Sequence, residues 1–176
     1  MLALAARVPV AGQAYPRAAA AILCAMNVRH ARAADADALY AFACRLALDR
    51  APERDAYDRA LRDSLSDERS LVLVAEQGGR LVGSLVAGLL PMPLYGARMA
   101  FLQELYVDEA ARGAGIGRAL IDVFDAWARE RGAVVEALGT SRPPAMAFYE
   151  RLGFVTRPTT YYWRRVTPDA PPGTTS

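Results

Sequence analysis

The stretch RGAGIGRAL, Arg112 to Leu120, carries three glycines at alternating positions, is bounded by arginines, and opens into an apolar-periodic segment. Chain of this type suits phosphate. Without Cβ atoms at Gly113, Gly115 and Gly117, successive amides can turn toward one anion. A helix starting near Gly117 adds its positive end, and Arg112 and Arg118 can add charge-assisted bonds. Three phosphate loops compete. A Walker A loop needs a lysine after its last glycine, and this sequence contains no lysine. The dinucleotide fingerprint G-x-G-x-x-G places Arg118 where its third glycine belongs, and the loop follows hairpin-type strands instead of a first parallel strand. The third option is the pyrophosphate arm of an acyl-coenzyme A.

The elements that must position this loop read as a mixed α/β order. NVRHARAAD gives a short first strand. Asp35 or Asp37 can cap a helix in which Leu39, Phe42, Ala43 and Leu46 recur at helical spacing. Pro52 begins a second helix with Tyr57, Leu61 and Leu65 on one face. SLVLVAEQ and RLVGSLVAGLL form a hairpin through Gly78-Gly79. Residues 91–98, PMPLYGAR, read as an exposed loop, and MAFLQELYV as a strand leading to the glycines. In the helix that follows, Leu120, Val123, Phe124, Trp127 and Ala128 share a face and Gly132 stops it. AVVEALGTS is a strand. RPPAMAFYERLG is a short helix with Ala145, Phe148, Tyr149 and Leu152 on one side, and FVTRPTTYYWRRV supplies one or two closing strands.

Composition removes several classes of function. The 176 residues suit one domain, with 53% hydrophobic and 23% charged residues. A net charge of +2 argues for neither nucleic acid nor a membrane surface as partner. Without lysine there is no catalytic lysine, and His30, the one histidine, has no partner pattern for a triad. Cys24 and Cys44 form no disulfide framework, no Cys/His spacing suits a metal, and Cys44 reads as a small buried hydrophobe. Residues 1–25 could pass for a weak export signal, but Pro9, Gly12 and Pro16 interrupt them. They read better as an extension outside the domain, which then occupies 26–167 and is cytoplasmic. Residues 168–176, rich in proline and polar groups, read as a disordered tail.

LYVDEAARGAGIGRAL resembles the acyl-CoA-binding signature of the GNAT superfamily of N-acetyltransferases, with Arg112, Gly115 and Gly117 as its R/Q-x-x-G-x-G/A core. AMAFYERLGF, residues 145–154, resembles the family's second hallmark. Motif order and spacing agree over about residues 27–166. The resemblance implies a central, mostly antiparallel, splayed sheet of six to seven strands with about four helices. It implies acetyl-CoA as acyl donor, no metal, and a small-molecule amine or protein amino group as acceptor; homodimers are frequent in the family. It also assigns roles. The amides of Gly113, Ala114, Gly115, Ile116, Gly117 and Arg118 hold the pyrophosphate. The backbone of Leu105, Tyr106 and Val107 pairs with the pantetheine and polarises the thioester carbonyl. Tyr149 protonates or stabilises the leaving thiolate. Where many members carry asparagine, seven residues before this tyrosine, stands Arg142, suited to a phosphate or an acidic substrate.

Transfer to an amine of pKa ~10.4 needs a general base at neutral pH, often through water. Glu104 and Glu136 are the candidates. Strand alternation puts Glu104 with Leu102 and Tyr106, opposite Phe101, Gln103, Leu105 and Val107. Glu136 is one residue out of step with the position at which some members place a base, which turns it to the other face. Glu104 is therefore preferred. Tyr95, Tyr161, Tyr162 and Trp163 can line an acceptor pocket. The alternative in another class is a catalytically silent acyl-CoA-binding sensor.

Overall fold

A computed structural model describes residues 26–47 and 50–158. It resolves into two compact units, Met1–Gly139 and Thr140–Ser176. The first holds strands β1 (Met26–His30), β2 (Ser70–Gln77), β3 (Arg80–Met92), β4 (Ala97–Val107) and β5 (Ala133–Leu138). Its helices are α1 (Ala36–Leu46), α2 (Arg54–Ser66) and α3 (Ile116–Glu130). The second holds α4 (Pro143–Arg151). The sheet runs β1-β2-β3-β4-β5; its first three pairings are antiparallel and β4–β5 is parallel. This is the expected mixed α/β architecture, with five strands and four α-helices among the described residues. Phe154–Pro158 form no strand, and the rest of the expected closing strands lies outside the described residues.

Several boundaries differ from the sequence reading for local reasons. Asp35 holds the N-cap position of α1, as expected, but its side chain makes no bond to the helix amides. Its carboxylate accepts from the Arg32 amide at 2.7 Å and pairs with Arg29 at 2.7 Å, closing a 3₁₀ turn before the helix. Helix α2 starts after Pro52, because Glu53 takes the cap and accepts from the amides of Asp55 and Ala56. Residues 91–98, expected as one loop, are half strand. β3 runs through Met92, β4 resumes at Ala97, and only Pro93–Tyr95 with left-handed Gly96 make the turn. Gly78 and Gly79 both have positive φ, as a two-residue type I′ hairpin requires.

Register between β3 and β4 determines what the sheet presents. Ala87 stands across from Leu102, but Val86 stands across from Glu104, so Gln103 is an extra residue in β4. This β-bulge reverses the alternation. Phe101, Glu104 and Tyr106 face the side where α1 and α2 pack, around Leu39, Phe42, Leu61, Val72, Val74 and Tyr106. Leu102, Leu105 and Val107 face α3. The expectation for Glu104 is thus half corrected: it keeps Tyr106 as a face-mate and loses Leu102. Gln103 joins its side, since its amide nitrogen lies 3.3 Å from where a Cβ of Gly88 would stand.

On the opposite face α3 buries Ile116, Leu120, Ile121, Phe124, Trp127 and Ala128; of the stripe expected from the sequence Val123 is only half-buried, and Ile116 and Ile121 are added. Each large side chain so buried contributes roughly 1.5–3 kcal/mol of transfer free energy. Close approach depends on Gly83. A Cβ there would sit 2.8 Å from the Tyr106 carbonyl oxygen and 3.3 Å from Ile116 Cγ2.

Candidate active site

Parallel pairing between β4 and β5 ends at Leu102–Leu138, whereas β4 stays paired with β3 as far as Val107. From Gln103 to Val107, β4 therefore has no strand partner on its β5 side among the described residues. An extended ligand with amide groups can add itself to such an edge. Leu105 and Tyr106 stand on it, and so does Val107, whose carbonyl already accepts from Arg112 Nε at 3.2 Å.

The chain then turns through Glu109–Ala111 into the glycines. Gly113 (φ 79°) and Gly115 (φ 84°) are left-handed, a conformation that disfavours any side chain. Gly115 is the N-cap of α3 and no side chain caps the helix. The amides of Ile116, Gly117 and Arg118 consequently have no intrahelical acceptor, and they point out of the helix with its positive dipole end. The helix starts one residue earlier than expected, so Gly117 lies inside its first turn with ordinary helical backbone. Ala114 bridges the two left-handed glycines. The two arginines are engaged within the protein: Arg112 also pairs with Glu109 at 3.3 Å, and Arg118 Nε donates to Asp122 at 2.8 Å.

Glu104 is half-buried, and burial alone raises its carboxyl above the ordinary glutamate range. No hydrogen bond or ion pair to a described residue restrains it. Tyr57 of α2 lies near enough for the Glu104 charge to act on it; burial foremost, then that charge, pushes its phenol up to about 12.

Glu136 stands across from Ala100 and so faces α3. There it meets Asp125, in a shallow cleft with Arg129, Ala133, Val134 and Val135. Burial, then the Asp125 charge, lift Glu136 to about 7, and burial lifts Asp125 as well. With both groups ionised, the buried Oδ1 of Asp125 has no donor; a proton kept on Glu136 gives the pair a hydrogen bond.

Two arrangements were not foreseen from the sequence. One is this carboxyl pair. The other is a clamp at the end of β4. Arg45 of α1 donates to Tyr106 Oη at 3.2 Å and to Asp108 at 3.1 Å, and Tyr106 Oη donates to Asp108 at 2.8 Å. Phe42 stacks on the Tyr106 ring with centroids 4.6 Å apart. The buried clamp tyrosine was legible as a strand residue; its partners lie 61 and 2 positions away, and no local pattern joins them.

In the second unit, α4 carries Ala145, Phe148, Tyr149 and Leu152 as its half-buried side, as the spacing predicts. Tyr149 makes edge contacts with Phe148 (5.2 Å) and Phe154 (5.6 Å), and burial pushes its phenol up to about 12. Arg142 is the N-cap residue of α4, with its amide donating to Thr140 Oγ1 at 3.3 Å.

Comparison with known proteins agrees with this geometry. The Acetyltransferase (GNAT) family matches residues 34–154, and the chain belongs to that family. It is 32% identical to an acetyltransferase of Agrobacterium fabrum over 55% of this chain and 74% of that one. Rat N-acetyltransferase 8 is 37% identical, over 51% of this chain but only 41% of the rat protein. A solved structure of a transcriptional regulator from Bacillus halodurans superposes with a TM-score of 0.71 at 28% identity, covering 80% of this chain and 99% of that one. Family membership implies an acyl-CoA donor and an amine acceptor. The uncapped amides after left-handed Gly115 and the open β4 edge fit the pyrophosphate and the amide-bearing arm of such a donor. No described helix is long and apolar enough to cross a membrane.

Proposed function

We propose that this protein is an acetyl-CoA-dependent N-acetyltransferase that transfers the acetyl group directly to a primary amine within a ternary complex. The observation that carries the reading is the placement of Glu104: an unrestrained, half-buried carboxylate two residues beyond the last β4–β5 pair, on the strand that leads to the glycine cradle. Glu104 takes one proton from the acceptor ammonium, directly or through water, the freed nitrogen attacks the thioester carbonyl, and the nitrogen's second proton passes to solvent as the C–S bond breaks. Amides along Leu105–Val107 orient the donor and polarise that carbonyl, while those from Gly113 to Arg118 hold the pyrophosphate. Arg142 adds a charge for a phosphate or an acidic acceptor group.

Tyr149 serves the departing thiolate. A phenol near 12 is less acidic than a thiol of pKa ~8.5. Tyr149 therefore stabilises the thiolate by donating a hydrogen bond, and solvent supplies the proton that ends on sulfur. Tyr149 stays protonated throughout the neutral range and is always ready to donate.

The test is thiol release from acetyl-CoA across a panel of amines, with Glu104→Gln and Tyr149→Phe as controls. A second reading, an acyl-CoA sensor without turnover, is favoured by the likeness to a protein described as a transcriptional regulator. Tight acetyl-CoA binding with no thiol release on a broad panel would establish that reading instead.

A further inference from the structure

The surroundings of Glu104 restrict the acceptor. Its face of the sheet is aromatic: Phe101 and Tyr106 share it, and Tyr57 approaches from α2. Tyr57 is in edge contact with Tyr40 of α1, centroids 5.4 Å apart. Two arginines touch this aromatic group, and both are already neutralised. Arg45 lies over Tyr106 and pairs with Asp108 at 3.1 Å. Arg54 lies over Tyr40 and pairs with Asp37 at 2.7 Å and with Asp58 at 2.8 Å. Among the described residues, burial is the one influence on the Glu104 carboxyl and no cation opposes it. Within that set the site holds one uncompensated negative charge among rings.

A cationic amine suits such a site, through the carboxylate and through ring faces. A free α-amino acid does not. Its own carboxylate carbon lies ~2.5 Å from the nitrogen. Docking that nitrogen on Glu104 brings two carboxylates together, and among the described residues no arginine acts on Glu104 to take the second. We propose that the acceptor is an amine with no carboxylate beside its nitrogen, attached to an apolar or aromatic body: an aryl- or alkylamine, or an amino group whose neighbouring carboxyl is blocked as an amide. The inference rests on Glu104 as the base and names what that base selects.

Matched sets test it: phenylalanine, phenylalaninamide and phenethylamine, then leucine, leucinamide and isopentylamine, each assayed by thiol release with the full-length protein. The amine and amide of each set are expected to exceed the free amino acid in kcat/KM by at least ~10-fold. Phenethylamine should do so although less of it is unprotonated at neutral pH than of phenylalanine. Glu104→Asp, which keeps the charge, should retain the ratio, and Glu104→Gln should bring it toward one at a lower absolute rate. Free amino acids turned over as well as their partners, or a ratio that survives Glu104→Gln, would overturn the inference while leaving the transferase intact. Acetyl-CoA binding without acetylation of any member would overturn the transferase reading, and this inference with it.

Discussion

Glu104 and Glu136 present their carboxylates to opposite faces of one sheet. Glu104 stands across from Val86, within the α1/α2 packing, and Glu136 across from Ala100, where it meets Asp125 of α3. Both are raised by burial, yet their environments differ in kind. No hydrogen bond or ion pair to a described residue holds Glu104, whereas Glu136 is committed to a neighbouring carboxyl. This difference supports the proposal that Glu104 is the base.

Glu104→Gln should lower kcat by about 10²–10⁴-fold, the usual worth of a general base, while acetyl-CoA affinity changes little. The base acts ionised, and burial raises its pKa. The rate should accordingly fall as pH drops through a value above the ordinary glutamate range. A pH profile of kcat/KM that keeps this acidic limb in the Gln variant would assign the base elsewhere.

Tyr149→Phe should reduce kcat and leave the dissociation constant of acetyl-CoA unchanged, because the hydroxyl acts on charge that develops only as the thioester breaks. Thioester analogues with a more acidic leaving thiol should narrow the difference between variant and wild type. Equal losses with every leaving group would count against a role at sulfur.

Gly115→Ala forces a side chain into a left-handed N-cap at a cost of about 1–2 kcal/mol and tilts the uncapped amides of α3. CoA binding by calorimetry should weaken measurably. Gly117→Ala, in helical backbone, should be well tolerated by the fold, since alanine is the better helix former. Its effect on CoA reports steric access to the amides alone.

Gly83→Ala places a methyl group 2.8 Å from the Tyr106 carbonyl and against Ile116. Overpacking of this kind costs about 1–3 kcal/mol. Thermal unfolding should move down by several degrees, and CoA affinity should fall with it, because strand β4 and the start of α3 are the parts displaced.

Glu136 offers a pH test of stability. Its folded pKa of about 7 lies above the ordinary 4.5, so between those values the folded state binds a proton that the unfolded chain has released. Stability from this group is full below about pH 4.5, declines as pH rises toward 7, and levels off beyond. Glu136→Gln should flatten that decline, seen as a smaller difference in Tm between pH 5.5 and 8. An unchanged difference would mean that the pair does not retain its proton.

Local chemistry made most of the fold legible. Strand β2 falls on the residues SLVLVAEQ expected for it, the Gly78-Gly79 turn has the geometry its sequence demands, and the buried stripe of α3 follows its period except at Val123. The glycine loop could be read because backbone conformation at Gly113 and Gly115 is written in the residue type. The orientation of β4 could not. Gln103 carries no mark of a bulge, which arises from pairing with a strand sixteen or more residues earlier. For the same reason Asp125 and Glu136, or Arg45 and Asp108, show nothing in sequence of their meeting. The first helix starts directly after Asp35 as expected, although Arg29 claims its carboxylate, and the second starts beyond Pro52 because Glu53 is the better placed cap.

The bulge at Gln103 makes the direction of Glu104 a matter of parity. Counting from Leu102, an odd number of intervening residues normally returns a side chain to the same face, yet here it does not. Loss of Gln103 would remove the bulge and leave the same glutamate across from Val86 in regular alternation, whereas a bulge taken up beyond Glu104 would set it across from Leu85, toward α3. A base on this strand can thus be gained or silenced by where one extra residue is taken up, a route that comparisons by substitution alone would miss.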